Sequence, residues 1–184
     1  MPMTLREVLR SAAAAIFGAV AIFAVPLAAN SALIEQDLNA PNDKLLTLDT
    51  ATKLQWLDVN ATLGLSYSQA EATSFVTNLG FRHATENEVL ALYTSLGITV
   101  LDFVADAANH AGVVELIAKL GCTDAPVCGP SDLHHDALAA SPSLAPLVTE
   151  FAVFPDSSTL AEAGQFIGGR SLDFHGNILG NYLV

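Results

Sequence analysis

Positive charge is scarce in this chain of 184 residues, where 7 Lys and Arg stand against 19 Asp and Glu. Arg6, Glu7 and Arg10 fall in the N-terminal stretch, and setting them aside leaves 18 acids against 5 bases. That balance repels phosphate backbones and anionic lipid, so neither nucleic acid nor an acidic membrane surface is an expected partner. Cysteine is nearly absent: Cys122 and Cys128 are alone, and their spacing is not the C-x-x-C of redox and zinc sites. The chain also has no G-x-S-x-G, P-loop, H-E-x-x-H or G-x-G-x-x-G, and no D-x-[DN]-x-[DN]-G calcium loop. Nothing therefore points to nucleophilic or nucleotide-dependent chemistry, and no catalytic residue and no cofactor is expected.

What is present at the N-terminus is an export signal. After Met1 to Arg10 comes "SAAAAIFGAVAIFAVPLAANSA", with no charge between Arg10 and Glu35, a helix-breaking Pro26 and small residues near the expected cut. Residues 1–32 read as a bacterial signal peptide helix, cleaved after Ser31 or Ala32. The alternative is an uncleaved anchor, since the apolar run approaches the ~20 residues that span a bilayer. No second run of that length follows. The expected address is therefore periplasmic, cell-surface or extracellular, with membrane contact only through an uncleaved signal segment. An oxidising compartment suits a structural disulfide between Cys122 and Cys128, in the proline-bent loop "GCTDAPVCGP".

The roughly 150 remaining residues are the usual size of one domain. Residues 33–44 are polar and mixed and read as an arm leading into a domain over 45–184. Leu45 to Leu48 and Leu54 to Val59 are apolar runs flanking a polar "DTATK", the pattern of a β-hairpin. Trp56, the only tryptophan, sits in its second strand and reads first as a core anchor. Three amphipathic helices follow. Ala72, Phe75, Val76 and Leu79 recur at helical spacing behind a Ser68/Glu71 capping box, with Gly80 as the stop. Val89, Leu92, Tyr93 and Leu96 follow a Thr85/Glu88 box and end at Gly97. Val113, Leu116, Ile117 and Leu120 end at Gly121. "SDLHHDALAAS" reads as a short helix capped by Ser131, and "EFAVF", "QFIGG" and "GNYLV" read as short strands. The expected class is α+β.

Two clusters are candidates for chemistry. Asp132, His134, His135 and Asp136 are four potential metal ligands, and on a helix Asp132, His135 and Asp136 would share a face, which suits a metal-dependent hydrolase. The competing reading is an ordinary acidic first turn beside surface histidines. In "GFRHATENEVLALY", Arg82 and His83 could form an anion or saccharide site at a helix N-terminus. The structural reading places Phe81 in a strand, pairs Arg82 with a carboxylate and gives the helix to Thr85, and it needs no ligand.

"LDTATKLQWLDVNATLGLSYSQA" followed by "GFRHATENEVLALY" resembles the pattern D-x-x-T-G-L-x-W-L-D, S-Y, G-W-R-x-A-T-x-x-E of many bacterial exported proteins, including those with PEP-CTERM sorting tails. It is also similar to the Lcl C-terminal domain family, whose "WRLPT…EL" corresponds in type to Phe81 to Leu90. Lys53 stands where the pattern has glycine, Phe81 where it has tryptophan, and no PEP-CTERM tail follows Val184. The resemblance implies a C-type-lectin-like fold of mixed strands with flanking helices. It implies a non-catalytic binding or structural module, with extracellular polysaccharide or envelope proteins as partners. A saccharide would then be held by Trp56, Asp58, Arg82 and His83.

Overall fold

A computed structural model describes residues 32–124, 133–143 and 145–184. The expected signal peptide, Ala32 apart, and the expected disulfide partner Cys128 lie outside the described residues. The chain is α+β, with two sheets and helices packed between and beside them.

The expected hairpin is present. Strands β2 (Leu46–Asp49) and β3 (Gln55–Leu57) pair antiparallel, with Thr47 opposite Trp56. The turn between them is built by Asp49, whose carboxylate accepts from the Ala51 amide at 2.8 Å and the Thr52 hydroxyl at 2.7 Å. Residues 33–44 are not merely an arm: Leu33–Gln36 form a further strand, β1, paired with β2 from Leu33↔Asp49 to Gln36↔Leu46. Four residues carry too little alternation to announce a strand by themselves, and the neighbouring hairpin edge supplies their partners.

Only part of the first helical stripe forms a helix. The capping box belongs to Ser66 and Gln69, not to Ser68 and Glu71: the Ser66 hydroxyl accepts from the Gln69 amide at 3.2 Å and Gln69 Oε1 accepts from the Ser66 amide at 2.9 Å. The resulting helix, α1 (Tyr67–Glu71), stops where the Thr73 hydroxyl donates to the Ala70 carbonyl, and a second single turn, α2 (Ser74–Thr77), follows. The other two helices form as expected. Helix α3 (Glu86–Ser95) starts at the reciprocal Thr85/Glu88 box, and α4 (Ala107–Leu120) starts at Asp106 and ends at Gly121, whose φ is +99°.

The second sheet has the order β6-β5-β4-β7, from β4 (His135–Ala140), β5 (Val148–Pro155), β6 (Ala161–Arg170) and β7 (Leu179–Asn181), with β4 and β7 parallel. β4 overturns the expected helix at "SDLHHDALAAS". It lies between β5 and β7 and is buried from His135 to Ala139, and such an enclosed position decides for a strand whatever the local preference of Leu and Ala.

A large core cluster joins these layers, and Leu138, Val148 and Leu179 form a second, smaller one. The large cluster holds Trp56, the α3 residues Val89, Leu92 and Tyr93, the α4 residues Val113, Leu116, Ile117 and Leu120, and the inward residues of β4 to β6. The Tyr93 and Tyr182 hydroxyls, both buried, meet at 2.9 Å. The C-terminal segment closes the fold: Leu57 donates to the Leu183 carbonyl, and Arg82 and Val184 exchange backbone hydrogen bonds at 2.9 Å.

Candidate functional site

Trp56 is 0 % exposed and its ring meets Tyr182 edge-on at 5.8 Å. Burying an indole of ~200 Å² contributes roughly 5 kcal/mol of hydrophobic stabilisation. A ring so enclosed presents no face to a sugar, and the expected saccharide reading is thereby left without its stacking platform. Asp58 starts the 3-10 turn Val59–Thr62 by accepting from the Asn60 amide at 2.8 Å, and burial pushes its carboxyl up to about 6.

Arg82 and His83 do occupy the corner, and both are engaged. Arg82 makes a two-pronged pair with Glu88, whose Oε2 also accepts from the Thr85 amide at 2.8 Å. The guanidinium together with the Thr85 donors holds the Glu88 carboxyl down at about 2. His83 is 4 % exposed and stacks on Tyr67 with ring centroids 3.5 Å apart. Its Nδ1 faces Glu71 Oε1 at 2.8 Å and its Nε2 faces Asn181 Oδ1 at 3.1 Å. Asn181 is oriented by donating through Nδ2 to the Leu65 carbonyl, so both ring nitrogens meet acceptor oxygens. Burial lowers the His83 pKa against the opposing pull of those oxygens. The corner's polar groups thus face one another, with Arg82 on a carboxylate and Thr85 capping the helix as the structural reading anticipated. Phe81 itself precedes the paired backbone, which begins at Arg82.

The proposed metal ligands do not converge. Along a strand His135 and Asp136 point to opposite faces, so the shared helical face does not exist. Asp132 lies outside the described residues, and among those described no cluster of three or more His, Cys, Asp or Glu could hold a metal ion. His134 stacks on Phe154 at 4.9 Å. His135 donates from Nδ1 to the Gly121 carbonyl at 2.7 Å, and burial pushes its pKa down to about 4, which keeps it neutral. Asp136 is 9 % exposed with Oδ1 unpartnered among the described residues, and burial together with Glu150 and Asp124 raises it to about 7.

An open concavity among the described residues lies elsewhere. A groove of about 470 Å³ runs between the outer face of the hairpin and the α2–Phe81 connection, lined by Leu38, Leu46, Leu48, Leu54, Leu79 and Phe81, with Lys53, Gln55, Gly80 and Val184 completing it. Leu79 is 47 % exposed. None of Trp56, Asp58, Arg82 and His83 is among its described lining residues. Sequence reasoning missed this groove because its walls come from four separated segments. Lys53, one of its lining residues, has a φ of +65°, in the left-handed region that favours glycine. Compared with known proteins, the chain matches no family model, no curated protein and no solved structure.

Proposed function

We propose that the protein is an exported, non-catalytic binding module of the bacterial cell envelope or extracellular matrix, with a C-type-lectin-like domain whose binding surface is the groove between the hairpin and Phe81. One observation carries this reading. The polar groups that looked available for chemistry at the corner are consumed by one another, as in Arg82–Glu88 and Glu71–His83–Asn181, whereas the groove is open and lined mainly by apolar side chains. Mixed strands with flanking helices, and a C-terminal segment bonded to the hairpin, support the fold assignment. The hydrolase alternative loses its support with the helical face that was to carry it.

The test is amide chemical-shift mapping of the purified protein against bacterial exopolysaccharides and aliphatic ligands. Changes concentrated at Leu48, Leu54 and Leu79 are expected. Changes centred on Arg82 and His83, or turnover of a hydrolase substrate, would count against the reading.

A further inference from the structure

Resting on the reading of the groove as the binding surface, we infer that it takes a single-chain aliphatic monocarboxylate, with the chain along the leucines and the head at Lys53. The volume falls in the roughly 300–1,000 Å³ range of small-molecule sites. The lining is aliphatic apart from Lys53, Gln55, Gly80 and Phe81, and no Asp or Glu is among its described lining residues. Alternation along the sheet also sets Ile34, 46 % exposed, on the same outer face as Leu48, its partner across β1 and β2.

The cation inventory bears on the sign of the head. The described residues hold five Lys and Arg. Lys44 and Lys119 both pair with Glu35, Arg82 pairs with Glu88 and Arg170 with Glu150. Lys53 alone has no ion pair among the described residues, and it is the base that lines the groove. Its backbone conformation is one that glycine adopts without strain and a side chain-bearing residue does not. A single ammonium is a point charge without the fork that grips a phosphate through two parallel hydrogen bonds, which suits a monoanion. The formal net charge of −12 repels anions at long range. Preference for an anionic head must therefore arise locally, at Lys53.

The purified protein is titrated by calorimetry with decanoate, octanoate and decyltrimethylammonium at neutral pH and low salt. Decanoate is expected to bind more tightly than the cation of equal chain length, although the overall charge favours the cation. Octanoate should bind roughly tenfold more weakly, from two lost methylenes. Lys53→Gly, which suits the backbone and should fold, is expected to weaken decanoate about fivefold, with the difference vanishing at high salt. Leu79→Glu, at an exposed position, should abolish binding of both chains. Equal affinity for the two heads, unchanged by Lys53→Gly but lost in Leu79→Glu, would overturn the monocarboxylate while leaving the groove as the binding surface. Binding that survives Leu79→Glu, or no binding of any chain, would overturn both.

Discussion

Asp136 offers the sharpest test of the second sheet. Its carboxyl is 9 % exposed, Oδ1 has no hydrogen-bond partner among the described residues, and Glu150 and Asp124 add like charge, while Arg170 is committed to Glu150. The folded chain therefore holds the proton up to about 7, against a usual value of 3.8. A raised folded pKa means that Asp136 costs nothing below its unfolded pKa and destabilises progressively as pH rises through the folded one. Three pKa units at 1.36 kcal/mol each give a penalty of about 4 kcal/mol, an upper bound because relaxation or water entry would reduce it. Asp136→Asn removes the ionisation while keeping the shape. Urea unfolding followed by fluorescence of the buried Trp56 would measure both proteins between about pH 4 and pH 8. The variant's advantage should grow across that range, from near zero to several kcal/mol. His135, held neutral down to about 4, loses stability on acidification in both proteins and cancels in the difference. An advantage independent of pH, or a variant weaker throughout, would mean that the carboxylate is paired and the reasoning is wrong.

Three other perturbations follow from the same geometry. Glu88→Gln should destabilise by about 1 kcal/mol at neutral pH, a figure kept small because Arg82 is more than half exposed. Since the Glu88 pKa is lowered, that contribution is present above the unfolded value of 4.5 and lost as pH falls towards about 2, so thermal melts of the two proteins should converge in acid. Lys53→Gly should raise stability by about 0.5 kcal/mol, relief of left-handed strain outweighing the greater unfolded entropy of glycine; a loss would mean that the lysine side chain packs productively. The disulfide proposed between Cys122 and Cys128 predicts an intact mass lower by two hydrogens than that of the reduced chain, and reduction should cost about 2 kcal/mol in stability. Two alkylatable thiols in the protein purified without reductant would end that proposal.

Local chemistry written along the chain determined the corner, the hairpin and the two longer helices. Thr85 and Glu88 satisfy each other's backbone wherever they fall three residues apart at a helix start, and Gly97 and Gly121 stop helices because they accept positive φ. The same local logic misplaced the first cap by two residues, since Ser66/Gln69 and Ser68/Glu71 both offer the right groups and only packing chooses between them. Tertiary structure alone decided that "HDALAA" is a strand, because its partners β5 and β7 come from the last third of the chain. That decision also separated His135 from Asp136 and left a carboxyl buried beside other acids. The groove is likewise tertiary: Leu38, Leu48, Lys53, Leu79 and Val184 share no sequence period, and they meet because the C-terminal segment and Phe81 close beside the hairpin. Periodicity reports which face of an element is apolar, whereas a concavity depends on where distant elements stop short of covering one another.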